Sequence, residues 1–256
     1  MNNENFKIYR KPSENEFIVA GVDTAWGGND YCSAQFLSVT RRDVPIVYHS
    51  RELATEMTPR LFDMLTNIYN WTKVKPTISY ERNNGGVAEL ERLSRMNKFE
   101  QFTIYQQKSN VGTIMGSQQS IKLGWDTTSS TRPIMLGDLK DAIDNFYLTI
   151  YDRSTLNELL SFVIVQGNTG SWKAQAEVGM HDDLIMALGI AWQLYQTERV
   201  RVNESGIITP KQPGTPKKSP YVDEEGNLVG VGMDKLLSNA VKDTLKPRGR
   251  DWRYPR

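Results

Sequence analysis

Phe17-Ile18-Val19-Ala20-Gly21-Val22-Asp23 is apolar at every position but the last, and Gly27-Gly28-Asn29-Asp30 follows closely. A short run that is hydrophobic on both faces and closed by turn residues predicts a central strand, covered on both sides of its sheet. Such a strand carries Asp23 to its C-terminal end. An aspartate behind Val-Ala-Gly-Val is costly to bury unless something pairs with it, so Asp23 is the first candidate functional residue.

Working outward, residues 32–40 and 44–50 are rich in β-formers, and only Arg41-Arg42-Asp43 separates them. So short a linker makes them antiparallel neighbours. Thr58-Pro59 then reads as an N-cap followed by proline at the first helical position, with Leu61, Leu65, Ile68 and Tyr69 at helical spacing. Lys75-Pro76 ends that helix. Residues 77–81 predict a short strand ending on a second carboxylate, Glu81. Asn84-Gly85-Gly86 turns the chain into another helix with Val87, Leu90, Leu93 and Met96 as its stripe, and residues 102–105 predict a further strand. The order β-β-β-α-β-α-β predicts an α/β fold: a mixed sheet, an antiparallel β-meander then parallel strands, flanked by helices.

Residues 106–132 are polar and lack periodicity, which predicts a long surface excursion. Pro133 opens a helix carrying Leu136, Leu139, Ile143, Phe146 and Tyr147 along one side, and residues 156–165 predict a short helix followed by a strand. Gly167-Asn168-Thr169-Gly170 leads on to His181-Asp182-Asp183-Leu184, the start of an apolar run that ends at Tyr195 and predicts a buried helix. Past residue 196 the composition changes. Six of the eleven prolines lie in 197–256, which argues against a packed core there. Three segments are expected: a lead-in over 1–16, a body over 17–196, and an irregular, Pro-containing basic tail over 197–256. In the tail, residues 233–245 have the pattern of a short amphipathic helix, with Leu236, Leu237, Ala240 and Val241 on one side.

With 256 residues, 39% hydrophobic and 24% charged, the chain can bury a full core. Its net charge of +1 hides an asymmetry: the tail carries 12 Lys/Arg against 8 Asp/Glu, and the rest 19 against 22. Cys32 is the only cysteine, which excludes an internal disulfide framework and a Cys-based zinc centre. The N-terminus lacks the pattern of a secretory signal, and no apolar run approaches the roughly 18 residues of a membrane span. A cytoplasmic protein without a membrane partner is expected.

Asp23, Glu81 and the Asp182/Asp183 pair fall at the ends of two strands and the start of a late helix, places that can share one rim of an open α/β sheet. Carboxylates crowded there repel by about 4 kcal/mol for a pair 4 Å apart at an effective dielectric near 20. A divalent cation resolves that conflict. Oxygen-only ligands suit Mg²⁺ or Mn²⁺, and a pair of such ions suits phosphodiester hydrolysis. Either aspartate of the pair can also cap the helix start. His181 is an auxiliary candidate.

Four stretches carry a resemblance to a known family: Ala20-Gly-Val-Asp23; Tyr80-Glu-Arg-Asn-Asn-Gly85; Leu123-Gly-Trp-Asp-Thr-Thr128 with Thr131-Arg-Pro133; and Gly179-Met-His-Asp-Asp-Leu-Ile-Met-Ala-Leu188. In this order they resemble the nuclease domain of tailed-bacteriophage large terminase subunits, over residues 17–196. The resemblance implies an RNase H-like fold and cleavage of double-stranded DNA with two divalent cations during genome packaging. It maps the acidic set onto Asp23, Glu81 and Asp182/Asp183, with Asp183 preferred as the ligand because Asp182 is better placed to cap the helix. Large terminases also carry an ATPase motor, yet no G-x-x-x-x-G-K-[ST] phosphate loop is found here, so the expected protein neither hydrolyses ATP nor translocates DNA alone. Its expected partners are double-stranded DNA, a separate motor domain or subunit, the portal and the small terminase subunit. Lys108, Lys122 and Arg132 flank the long excursion as candidate phosphate contacts. Two other readings suit the same residues: another RNase H-like nuclease of resolvase or integrase type, and a non-catalytic packaging adaptor.

Overall fold

The computed structural model describes residues 5–25, 30–113, 116–166, 172–176 and 181–204, and their side chains except at 108–120, 163–166, 172–176 and 200–204. The turn expected at residues 27–28, the connection at 167–170 and the tail beyond Glu204, with its helix at 233–245, lie outside the described residues, whereas residues 197–204 continue the last helix.

Strand β1 (Phe6–Ile8) is followed by β2 (Ile18–Asp23), β3 (Cys32–Ser38), β4 (Asp43–Val44) and β5 (Ile46–Ser50). Then come α1 (Ala54–Thr72), β6 (Thr77–Tyr80), α2 (Gly86–Met96) and β7 (Thr103–Ile104). The main sheet has six strands in the order β1-β5-β3-β2-β6-β7, antiparallel from β1 to β2 and parallel from β2 to β7. This is the mixed sheet that the alternation of β and α patterns predicts. The lead-in supplies its edge strand, which the sequence pattern did not reveal.

Every residue of β2 is buried, as its two-sided apolar pattern requires. Ile18, Ala20 and Val22 pack with α1 and α2, while Val19 faces the other side, where α5 (Asp183–Glu204) crosses the sheet. Gly21 lies on that side as well. A Cβ there would stand 2.2 Å from the carbonyl oxygen of Ala187 and 2.4 Å from the amide of Ala191, so only glycine lets the helix backbone come this close. The same alternation turns Asp23 toward the α5 face.

Two expectations need correction. The first helix begins at Ala54, and Thr58 bonds its Oγ1 back to the Ala54 carbonyl instead of capping. Pro59 therefore lies within the helix, and the Thr55 carbonyl that its missing N–H would have served accepts from Arg92 Nη1 at 2.6 Å instead. The supposed excursion is largely an antiparallel hairpin, β8 (Gln106–Thr113) with β9 (Gly116–Leu123). Its strands are polar at successive positions, so no alternation marks them in the sequence.

After the hairpin, α3 (Thr131–Asp144), β10 (Thr149–Ile150), α4 (Arg153–Ser161) and the hairpin of β11 (Phe162–Gln166) with β12 (Trp172–Ala176) lead to α5. Leu136, Leu139 and Ile143 of α3 are buried as expected, whereas Phe146 falls past the helix end in a left-handed conformation and is 70% exposed. Leu184, Ile185, Leu188, Ala191 and Trp192 of α5 are buried between the sheet, α3 and α4. Among the described residues no helix is long and apolar enough to cross a membrane.

Candidate metal centre

The C-terminal ends of β2 and β6 and the start of α5 meet at an open cavity of about 820 Å³. Asp23, Glu81, Asp182 and Asp183 all line it, with Asp30, Asn83, Thr127, Arg132 and His181 among the other lining residues. The structure thus brings together the four carboxylates that the sequence singles out, although 160 positions separate the first from the last.

Asp23 and Glu81 form the strand-borne wall and are 7% and 5% exposed. Parallel pairing of β2 with β6 sets them side by side, and the Glu81 amide donates to the Val22 carbonyl at 2.8 Å. Glu81 is tied on its other side too, through a bridge to Trp125, whose amide donates to the Tyr80 carbonyl at 2.9 Å. Trp125 is buried beside Tyr105, so the motif around it anchors the strand-borne wall. Gly86 lets the next turn close back over the Glu81 carbonyl, which a Cβ there would meet at 1.8 Å. Asn83 Nδ2 donates to Glu81 Oε1 at 3.3 Å.

Burial, and then the nearby charge of Glu81 and its hydrogen bond with Asp23, push the Asp23 carboxyl well above the usual range, with Asp183 and Asp182 adding to the effect. A cation lying between the two carboxylates would relieve their repulsion.

The helix-borne wall is more exposed and is held by a side chain and a backbone amide from other parts of the chain. Asp182 accepts from Arg132 Nη2 at 2.7 Å. Asp183 Oδ2 accepts from the Tyr31 amide at 3.3 Å and lies 3.5 Å from His181 Nδ1. Burial raises the Asp183 carboxyl to about 6, against the opposing effects of the Tyr31 amide and His181. The His181 ring stands edge-on to Tyr31, and His49 packs on Tyr31 at 4.2 Å between ring centres.

The capping role expected of Asp182 belongs to another residue. Glu158 of α4 accepts from the amides of Leu184 at 2.9 Å and Ile185 at 3.3 Å, while Asp182 turns toward Arg132. Nothing in the sequence around Glu158 marks it, because the helix it caps begins more than twenty residues later. Asp30 also lines the cavity and reads in the sequence only as a turn residue.

The candidate phosphate contacts separate. Arg132 lines the cavity, Lys122 pairs with Asp126 at 2.8 Å, and the side chain of Lys108 lies outside the described residues. Buried within the same region, Arg132 Nε and Thr127 Oγ1 have no hydrogen-bond partner. Among the described residues, no group of three His, Cys, Asp or Glu side chains is arranged to hold a metal ion as it stands. The chemistry of the donor set nevertheless fits one: these four carboxylates supply hard oxygen atoms, and their mutual repulsion is what a divalent cation relieves.

No family model and no curated protein matches the chain. Solved structures do. The large terminase nuclease of the thermophilic phage G20c with bound magnesium aligns over 75% of this chain and 89% of its own, at a TM-score of 0.58 and 13% identity. The chain has the fold of a large terminase nuclease. The nuclease domain of the Thermus phage P74-26 large terminase aligns over 77% of this chain and 88% of its own, with a TM-score of 0.56 and 12% identity. A zinc-bound form of the G20c nuclease aligns at a TM-score of 0.51 and 15% identity, over 76% and 91% of the two chains. The expected RNase H-like architecture is therefore the observed one.

Proposed function

We propose that this chain is a Mg²⁺- or Mn²⁺-dependent DNA endonuclease that cuts concatemeric viral double-stranded DNA during genome packaging. The observation that carries the reading is the meeting of Asp23, Glu81, Asp182 and Asp183 in one cavity, on the fold of large terminase nucleases. Asp23, Glu81 and Asp183 are the proposed ligands of two cations, with Asp182 beside them. Asp183 is preferred because the Asp182 carboxylate already serves Arg132. When bound, the cations supply activation of a water and stabilisation of the leaving oxygen at the phosphodiester.

The chain's own residues do the rest. Asp23 and Glu81, fixed by strand pairing, would hold the cations from the buried side, where positive charge would relieve the repulsion between the two carboxylates. The Asn83 amide steadies Glu81 from one side, and Arg132 offers the cavity a guanidinium for a backbone phosphate. His181 acts as an auxiliary group that orients Asp183. The nuclease unit in this reading spans residues 17–196 together with the edge strand β1 of the lead-in and the end of α5 as far as Glu204. An ATPase motor, the portal and the small terminase subunit are its partners in the host cytoplasm, and the tail lies outside the catalytic unit.

Plasmid DNA incubated with purified protein and Mn²⁺, with and without ATP, tests the proposal. Cleavage that is independent of ATP, abolished by EDTA and lost in Asp183→Ala is the expected result. Intact plasmid with the parent protein, or equal cleavage by Asp183→Ala, would overturn it.

A further inference from the structure

The start of α5 poses a problem that its own residues do not solve. The first amides of a helix have no partner within it, and Asp is a preferred residue for capping them. Here two aspartates stand at that position and neither side chain caps: Asp182 pairs with Arg132, and Asp183 accepts from Tyr31. The acceptor comes instead from Glu158, a buried residue on α4 whose Oε2 takes the amides of both Leu184 and Ile185.

Helix α4 is itself held firmly enough to deliver that carboxylate. Its N-cap Asp152 is fully buried and accepts from the Thr155 amide at 2.8 Å, from Lys7 Nζ at 2.9 Å and from Tyr9 Oη at 2.6 Å. Gln35 of β3 then bridges the two helices, donating to Thr155 Oγ1 at 2.8 Å and to the Leu184 carbonyl at 3.4 Å. The edge strand, the sheet and α4 therefore converge on the first turn of α5.

Resting on the cation site described above, we propose that Glu158 is a positioning residue: by capping α5 from outside, it keeps Asp182 and Asp183 turned to the cavity. Without it, the orphaned amides are left to the two aspartates beside them, residues of the type that caps helix starts, and a side chain that turns back to cap its own helix is lost to the cation. The residue acts through its reach and its acceptor oxygen, not through its charge. That distinction is testable, because glutamine keeps the reach and an acceptor without the charge, whereas aspartate keeps the charge and is one methylene too short.

The thermal midpoint of full-length protein, titrated with Mn²⁺, reads cation binding without reference to cleavage. Parent, Glu158→Gln and Glu158→Asp are compared, with metal-free melts confirming that each is folded. The expected result is a parent-like Mn²⁺ midpoint for Glu158→Gln and a midpoint about 10–100-fold higher for Glu158→Asp, the size typical of residues that orient metal ligands. Plasmid cleavage should follow the same order. A parent-like midpoint for Glu158→Asp, or an equal weakening in both variants, overturns the role of Glu158 while leaving the cation site intact. A parent protein whose melt ignores Mn²⁺ overturns the cation site itself, and this role with it.

Discussion

The two walls of the cavity are built in different ways. Asp23 and Glu81 stand at the ends of adjacent parallel strands, buried and in contact, and their positions follow mainly from backbone pairing. Asp182 and Asp183 stand at a helix start, partly exposed, and are held by the Arg132 side chain of α3, by the Tyr31 amide before β3, and by Glu158 of α4, which caps the helix that carries them. A strand-borne carboxylate is placed by its register, whereas a helix-borne one has several rotamers and needs partners to select among them. The strand-borne wall is thus rigid by construction, and the helix-borne wall carries the adjustable half of the site.

The largest effect should come from separating the two aspartates of the adjustable wall. Asp183→Asn is expected to lower the initial rate of Mn²⁺-dependent nicking by on the order of a thousandfold. Asp182→Asn should lower it by only about tenfold, as expected for a group that orients its neighbours. The reverse order would show that Arg132 marks the true ligand instead of occupying the spare one.

The contact between the walls depends on Gly21. Gly21→Val forces a side chain into the backbone of α5 and should destabilise the fold by about 3 kcal/mol, which corresponds to melting about 6–12 °C lower. An unchanged melt would mean that α5 is not seated on β2 as described.

Arg132→Ala tests whether the guanidinium serves DNA as well as Asp182. Binding to a duplex in EDTA should weaken about tenfold, and its logarithmic salt dependence should become shallower by about one. A salt dependence equal to that of the parent would confine Arg132 to holding Asp182.

The smallest effect concerns pH in metal-free buffer. Burial foremost, then Lys7, lowers His49 to about 4, so the unfolded chain takes up a proton below 6.5 that the folded chain resists. Stability from this source is present above pH 6.5 and is lost as pH falls toward 4. Asp183 has the opposite sign: with its carboxyl raised to about 6, its contribution is full below 3.8 and is lost as pH rises through 6. In His49→Gln the first trend is gone while that of Asp183 and of the other raised carboxyls, Asp23 and Glu158, remains, so stability measured by urea unfolding should decline more steeply between pH 4 and 6 than in the parent. Equal slopes would remove His49 from the support of the helix-borne wall.

The sequence alone determined the strand-borne wall. A two-sided apolar run ending in Asp23, and a second short strand ending in Glu81, are local patterns, and local pattern is what specifies a central strand and its polar end. The His-Asp-Asp start of a buried helix was legible for the same reason. Tertiary structure alone decided how that helix-borne wall works. Glu158, Gln35 and Tyr31 reach the start of α5 from elements distant in the chain, and nothing in their own neighbourhoods signals the meeting. The hairpin of β8 and β9 leaves no mark in the sequence because polar strands carry no hydrophobic period, and Thr58-Pro59 imitates a helix start within a helix that begins at Ala54. Register is written into a strand residue by residue, whereas the partner of a helix end is chosen by whichever acceptor the fold delivers there.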